Sequence, residues 1–229
     1  MNSAQDNTPF EQPASFEFTA ENREKAGWYI AKYPPGRQQS AVISLLYLAQ
    51  TQSGGWLPQA AMRHVGDVLG MAHIRVYEVA TFYTMFNLRP VGRYFLQACT
   101  TTPCWLRGSD EVVAACERKL GIHMGGSTTD GLFTLTEVEC LGACVNAPIL
   151  QVNDDFYEDM DGALTEQLLD ALRDGRPPPV GSMAGRPDSA PVGGKTSLTQ
   201  SPEPPPWQAA LTEKPEEKKP EAGETPHAG

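Results

Sequence analysis

Residues 93 to 121, RYFLQACTTTPCWLRGSDEVVAACERKLG, give the clearest indication of the fold class. The stretch opens with RYFLQAC, an apolar run of the length of a buried strand. SDEVVAACERKLG then has apolar residues at helical spacing, with Ser109 or Asp110 as the expected helix cap. Only a short polar turn with two cysteines separates strand and helix, so the stretch predicts a helix packed on a sheet.

Three further elements follow. FTLTEVEC, from residue 133, alternates apolar and polar residues as a half-buried strand does, and APILQVN, from residue 147, is expected to form another strand. LTEQLLDALRDG has helical spacing and ends at Gly175, which suits a helix terminus. The order strand, helix, strand, strand, helix predicts a small sheet with helices packed on it.

The chain from about Thr19 to Phe86 has a helical pattern. Breaks at PPG (from residue 34), GG (from residue 54) and Pro58 divide it into four short helices. An apolar stripe in the second helix predicts a packed bundle, and its members are Val42, Leu45, Leu46 and Ala49. This helical module is expected either to dock on the sheet or to reach toward a partner.

Composition excludes several functional classes. The chain has 229 residues and a formal net charge of -10, which disfavours nucleic acid as a ligand. No apolar run is long enough to suggest a direct membrane span. Five cysteines are too few for a disulfide-rich secreted domain. The N-terminus has no arginine before Arg23, so we expect a bacterial cytoplasmic chain or a processed organelle protein.

Four of the cysteines form two close pairs, C-x4-C at Cys99 and Cys104 and C-x3-C at Cys140 and Cys144. Each pair starts where a predicted strand ends, so two loops from one sheet edge are expected to present four sulfurs to one centre. The spacing favours an iron-sulfur cluster over structural zinc, and zinc over a redox-active disulfide. Cys116 lies apart, on the apolar face of a predicted helix, and is expected to be a core residue.

Two polar groups have alternative interpretations. The threonines at 100 to 102 either donate hydrogen bonds to the sulfurs or form an ordinary polar turn. The acidic residues Asp154, Asp155, Glu158, Asp159 and Asp161 are expected to form a solvated loop, although they would also bias a cluster potential downward or meet a basic partner. No phosphate-binding or nucleophile motif is present, so no catalytic residue is predicted.

Four segments together carry a resemblance: SLLYLAQTQSGGWLP, YEVATFYTMF, CTTTPCWLRGSD and ECLGACVNAP. From about Phe16 to Asp174 the chain resembles the small iron-sulfur subunit of NADH:quinone oxidoreductase, respiratory complex I. Equivalent subunits of NAD-linked hydrogenases and formate dehydrogenases have the same cysteine pattern, and the loop CTTTPC favours complex I. A zinc-stabilised interaction module stays as the alternative from another functional class.

The resemblance implies an α+β protein in which a helical module precedes a thioredoxin-like α/β domain and a disordered C-terminal tail follows. It implies one 2Fe-2S cluster held by Cys99, Cys104, Cys140 and Cys144. The chain would be a one-electron relay and a non-autonomous enzyme subunit. It would contact an FMN- and NADH-binding flavoprotein subunit and the larger iron-sulfur subunit of the same peripheral arm, on the cytoplasmic face of the bacterial membrane or the matrix side in mitochondria.

The expected organisation has four parts. They are a flexible N-terminus (1-18), the helical module (19-89), the thioredoxin-like 2Fe-2S domain (90-175) and a mostly disordered tail (176-229). Pro, Gly, Glu and Lys dominate the tail, so it has too little apolar surface to offset chain entropy. Within it, WQAAL from Trp207 to Leu211 is either a short docking helix or, as we favour, an isolated apolar spot.

Overall fold

The computed structural model describes residues 10-187, 189-191, 193-194 and 196-197. The chain divides into two compact units, Met1–Ser189 and Ala190–Gly229, and every helix and strand named below belongs to the first unit. The predicted docking segment from Trp207 to Leu211 lies outside the described residues. No helix among the described residues is long and apolar enough to cross a membrane.

The N-terminal helices form their own core. They are α1 (Ala20–Ala31), α2 (Val42–Gln52), α3 (Gln59–Leu69) and α4 (His73–Phe82), and a 3-10 turn (Gln38–Ala41) precedes α2. The apolar stripe of α2 is buried as predicted, and it packs against residues of α3 and α4 such as Val65 and Val76. The four predicted helices are therefore all present, and burial of their apolar faces holds them together.

A five-stranded mixed sheet follows, with strand order β2-β1-β3-β4-β5. The strands are β1 (Tyr94–Cys99), β2 (Phe133–Val138), β3 (Leu150–Val152), β4 (Asp155–Glu158) and β5 (Gly181–Ser182). β1 is parallel to β2 and antiparallel to β3, β3 and β4 are antiparallel, and β5 is parallel to β4. Because β1 and β2 are parallel neighbours, the loops that follow them begin at the same end of the sheet, beside the carboxyl ends of both strands.

Three helices belong to the sheet part of the chain: α5 (Thr102–Leu106), α6 (Ser109–Leu120) and α7 (Gly162–Arg173). The second core combines strand residues such as Leu96 and Leu135 with Cys116 of α6 and Leu168 of α7. Helices and a mixed sheet confirm the predicted α+β class. The predicted domain limits themselves stay predictions.

Three local expectations were wrong. The turn CTTTPC contains helix α5, which begins at Thr102, and β4 occupies part of the predicted acidic loop. β5 is a two-residue strand near the start of the segment predicted as a mostly disordered tail, and most of that segment lies outside the described residues. The N-cap of α6 is Gly108, with φ 96°, rather than Ser109 or Asp110. Glycine adopts this left-handed conformation easily, and it brings the chain from α5 into α6 through a sharp turn.

Candidate metal centre

The four paired cysteines lie at one edge of the sheet. Cys99 is the last residue of β1, and its register partner on β2 is Val138, two residues before Cys140. Cys104 lies within α5, and Cys144 begins the 3-10 turn Cys144–Asn146. The parallel pairing of β1 with β2 thus brings together two cysteine pairs that are distant in sequence, as the sequence predicted.

The cysteines form two close pairs. The Sγ atoms of Cys140 and Cys144 are 3.3 Å apart. Cys99 and Cys104 lie in the same small apolar cluster, and each changes the pKa of the other. The two pairs are close enough to influence each other, because Cys99 acts to raise the pKa of both Cys140 and Cys144. The two loops therefore converge on one site.

The two pairs differ in exposure. Cys99 and Cys104 are each only 1% exposed and lie in a small apolar cluster with Ala147 and Ile149. Cys140 is exposed and Cys144 is half-buried. One side of the site therefore faces the protein interior and the other faces solvent.

Backbone and hydroxyl donors surround the sulfurs. The Oγ1 atom of Thr101 is 3.2 Å from the sulfur of Cys99, and the Gly142 N–H donates to the sulfur of Cys140 at 3.4 Å. The Ile149 backbone acts to lower the pKa of Cys104. Gly142 has φ 82°, so a side chain at this position would strain the turn that aims its N–H at the sulfur.

In each cysteine pair, the surroundings lower the pKa of one thiol and raise the pKa of the other. Burial raises the pKa of Cys104 to about 12, and its hydrogen bond to Cys99 adds to this. Burial also acts to raise the pKa of Cys99, but hydrogen bonds from Thr101, Cys104 and Leu141 outweigh it and lower the pKa. The surroundings of Cys99 therefore favour the thiolate form more than those of Cys104 do.

The exposed pair behaves in the same way. The Gly142 N–H, helped by the Cys144 thiol, lowers the pKa of Cys140. The hydrogen bond that Cys144 makes with Cys140, together with desolvation, raises the pKa of Cys144. Since thiolates rather than thiols bind metal, each pair contains one sulfur whose surroundings favour the binding form.

The donor set fits a dinuclear cluster. A 2Fe-2S cluster takes four cysteine thiolates, two on each iron, and the observed pairs match that division. Among the described residues, no three His, Cys, Asp or Glu side chains are placed so that they could hold one metal ion. Hydrogen bonds to sulfur are also the contacts that tune the potential of such clusters.

Cys116 takes no part in this site. It is fully buried on α6 among residues of the second core, as the apolar face of that helix predicted. Burial raises the pKa of its thiol to about 12. A protonated, inaccessible thiol is chemically inert, so Cys116 acts as a small core side chain.

The predicted solvated position is observed for some of the acidic residues and not for others. Asp154 and Asp155 are exposed, as a solvated loop would have them. Asp161 instead caps α7 by accepting the Leu164 N–H at 2.7 Å. Asp159 is buried in an ion pair with Arg186, which nothing in the sequence pattern indicated. The solvated-loop interpretation is therefore wrong for Asp159, whereas Asp161 is exposed as expected.

The backbone groups of Leu141 and Ile149, which act to lower the pKa of Cys99 and Cys104, could not be predicted from the sequence, because residue identity does not show how the main chain is oriented. Of the threonines, Thr101 contacts the sulfur of Cys99, whereas the Thr100 hydroxyl donates to the Glu137 carboxylate. Thr101 therefore fits the interpretation as a hydrogen-bonding partner of sulfur, and Thr100 fits the interpretation as part of a polar turn.

Two cysteine pairs at the edge of a small mixed sheet, with helices packed on it, define a thioredoxin-like iron-sulfur protein. The chain belongs to the thioredoxin-like [2Fe-2S] ferredoxin family, whose profile matches residues 27–173.

Two individual relatives show more specifically which proteins the chain is similar to. The chain is 54% identical over 159 residues to a subunit of the NADH-quinone oxidoreductase of Rickettsia conorii, covering 69% of this chain and 95% of that protein. It is 50% identical over 187 residues to the mitochondrial NADH dehydrogenase [ubiquinone] flavoprotein 2 of Dictyostelium discoideum, covering 82% of this chain and 76% of that protein.

A solved structure shares the fold. An NAD+-reducing [NiFe]-hydrogenase in its air-oxidised state matches with a TM-score of 0.51 at 20% identity. The match covers 58% of this chain and 23% of the hydrogenase chain. At this identity the likeness concerns the fold alone.

Proposed function

We propose that the chain holds one 2Fe-2S cluster through Cys99, Cys104, Cys140 and Cys144, and that it is the one-electron relay subunit of the NADH dehydrogenase module of respiratory complex I. The observation that carries the proposal is the convergence of the two cysteine pairs at one end of the sheet. Identity of 54% to a quinone oxidoreductase subunit supports the assignment to complex I.

When bound, the cluster takes up and returns one electron at a time. The chain's own part is to hold the four sulfurs and to balance their charge. Donors to sulfur, such as the Thr101 hydroxyl and the Gly142 N–H, stabilise negative charge there. NADH and FMN are assigned to a flavoprotein partner, and no residue of this chain is proposed to be catalytic.

The exposed side of the site is the surface that we assign to the flavoprotein. Trp105 and Leu106 follow Cys104 and are 56% and 70% exposed, and Val145 follows Cys144 and is 68% exposed. Large apolar side chains at such exposure commonly mark protein interfaces. Burying them against a partner would bring the exposed pair, Cys140 and Cys144, near that partner's cofactor.

The wider assembly follows from the same assignment. A larger iron-sulfur subunit of the peripheral arm is the second proposed partner. The relatives are bacterial and mitochondrial, so we place the complex at the cytoplasmic face of the bacterial membrane or the matrix side of the mitochondrial one.

An equivalent subunit of an NAD-linked hydrogenase is the second candidate, because the fold of the NAD+-reducing [NiFe]-hydrogenase matches this chain. Sequence identity separates the two candidates: 20% to the hydrogenase against 54% to the quinone oxidoreductase subunit. Complex I is therefore preferred.

The test combines the purified chain with the FMN-bearing subunit of the same organism under anaerobic conditions. Addition of NADH is expected to reduce the cluster of this chain, giving a low-temperature EPR signal, and no signal is expected when the flavoprotein is left out. C104A and C144A are expected to lack the cluster, whereas C116A keeps it, since Cys116 is in the core. Full iron content in either ligand variant would refute the assignment.

A further inference from the structure

The segment after α7 returns to the sheet close to the loop that carries Cys144. We define residues 178-186 as the strap. Its strand β5 pairs in parallel with β4, and the Met183 N–H donates to the Glu158 carbonyl at 2.9 Å. At its start, the Tyr157 hydroxyl donates to the Pro178 carbonyl at 3.3 Å. The strap is thus an ordered part of the sheet edge.

A buried ion pair fixes the end of the strap. The Nη1 atom of Arg186 is 2.8 Å from Oδ1 of Asp159, and these side chains are only 11% and 8% exposed. By contrast, the side chains of the ion pair between Arg118 and Glu166 are 64% and 39% exposed. The Ser182 hydroxyl donates to the other carboxylate oxygen of Asp159 at 2.6 Å and accepts the Arg186 backbone N–H at 3.1 Å.

The same guanidinium reaches the cysteine loop. Nη1 of Arg186 also donates to the Val145 carbonyl at 3.3 Å, and Val145 is the residue after Cys144. From the other side, the Asp159 backbone N–H donates to the Asn146 carbonyl at 2.7 Å. Arg186 and Asp159 therefore hold two consecutive carbonyls of the Cys144–Asn146 turn while they pair with each other.

We propose that Arg186 is a positioning residue for Cys144. Anchored by Asp159 and Ser182, it fixes the Val145 carbonyl and with it the turn from which Cys144 projects toward the site. The inference rests on the proposed function, because it assigns Arg186 to the retention of the cluster. It also gives the strap a role, which is to hold the loop that carries Cys144 in place.

Chemistry supports a role beyond general stability. Groups that orient metal ligands typically change metal affinity by about 10- to 100-fold when they are removed. Cys144 needs such support, because it is only half-buried, whereas Cys99 and Cys104 are enclosed in an apolar cluster. Arginine suits the task, since several N–H donors on one planar group can serve a carboxylate and a carbonyl together.

The experiment measures cluster loss from the anaerobically purified full chain, followed as bleaching of its visible absorbance with an excess of iron chelator. R186Q is expected to lose the cluster about tenfold faster than the wild type. R186K, which keeps a charged donor, is expected to lose it more slowly than R186Q. The matched control is R176Q, because Arg176 pairs with Asp174 on the surface and is 79% exposed; it is expected to behave as wild type.

Two further measurements separate positioning from loss of stability. The EPR spectrum of reduced R186Q is expected to differ from that of the wild type, whereas the R176Q spectrum does not. S182A removes only the hydroxyl beside Asp159, and it is expected to speed cluster loss without changing the circular dichroism spectrum. This variant tests the proposal even where R186Q does not fold.

The outcomes are distinguishable. A wild-type chain without iron and sulfide would refute both the proposed function and this inference. A wild-type chain with its cluster, together with R186Q and S182A variants that lose it at the rate of R176Q and share its spectrum, would refute the inference alone.

Discussion

The Thr101 hydroxyl lies 3.2 Å from the sulfur of Cys99, and it also acts to lower the pKa of Cys140. Cys99 is almost fully enclosed, so bulk water cannot replace this donor. A hydrogen bond to a ligating sulfur stabilises the reduced, more negative state of a cluster more than the oxidised state.

T101V is therefore expected to lower the reduction potential by some tens of millivolts. One neutral hydrogen bond contributes about 1 kcal/mol, and about 59 mV corresponds to a tenfold change in a one-electron equilibrium. The matched control is T100V, because the Thr100 hydroxyl bonds to Glu137 rather than to sulfur. An EPR-monitored redox titration measures both variants, and equal shifts in T101V and T100V would contradict the role of this donor.

The apolar surface beside the site gives a prediction about partner binding. L106E places a charge on a side chain that is 70% exposed and lies two residues after Cys104. A charge that must be desolvated in an interface is unfavourable. We expect the affinity for the flavoprotein subunit to fall by at least about tenfold, with unchanged iron content.

The comparison for L106E is I74E. Ile74 is 61% exposed on α4, in the helical part of the chain. Binding measured by surface plasmon resonance is expected to be weakened more by L106E than by I74E. The reverse order would place the flavoprotein on the helices instead of at the cysteine loops.

Cys116 gives a prediction about pH. Burial raises the pKa of its thiol from 9.0 to about 12, so the unfolded chain ionises first. Below about pH 9 the thiol is protonated in both states, and its contribution to stability is fully present. Above that pH the unfolded state holds fewer protons, so the free energy of unfolding falls by up to about 1.4 kcal/mol per pH unit.

Urea unfolding of the wild type and of C116A between pH 7.5 and 10.5 isolates this effect. The difference in free energy of unfolding between the two chains is expected to be constant below about pH 9 and to move in favour of C116A above it. A difference that does not change with pH would show that the thiol is not buried as described.

Gly92 gives a prediction about the sheet. A Cβ atom added at Gly92 would lie 2.6 Å from the carbonyl carbon of Phe133, and backbone atoms of a sheet strand cannot move away easily. The Gly92 N–H also donates to the buried Thr134 hydroxyl at 2.7 Å. G92A is expected to lower the free energy of unfolding by about 1–3 kcal/mol.

The control for G92A is G27A. Gly27 lies within α1, and a Cβ atom there would meet nothing within 4 Å. Alanine is favoured over glycine inside a helix by about 0.5–1 kcal/mol, so G27A is expected to raise the melting temperature in the same assay in which G92A lowers it. A neutral G92A would contradict the close approach at Phe133.

The sequence predicted those parts of the fold that periodicity encodes. Helix α2 and strand β1 each bury an apolar pattern, and Cys116 is in the core because it shares a helix face with Val112. The convergence of the cysteine pairs was also predictable, because each pair directly follows a predicted strand. Each of these predictions starts from a pattern among residues that are close in sequence, and such a pattern can be recognised in one amino-acid sequence.

The remaining features depend on long-range contacts. β5 consists of two residues, Gly181 and Ser182, and becomes a strand only because β4 lies beside it. Asp159 resembles its exposed neighbours in sequence, yet Arg186, 27 residues later, makes it a buried partner. The N-cap of α6 is Gly108 because the chain must turn sharply between α5 and α6. The preference of serine for capping positions does not move the start of the helix to Ser109.

The most direct test of the central claim is the iron, acid-labile sulfide and zinc content of the anaerobically purified chain, together with its EPR spectrum after dithionite reduction. Two irons and two sulfides per chain are expected, with a signal that appears only on reduction. One zinc with neither sulfide nor signal, unchanged after reconstitution with iron and sulfide, would contradict the claim and leave a zinc-stabilised interaction module.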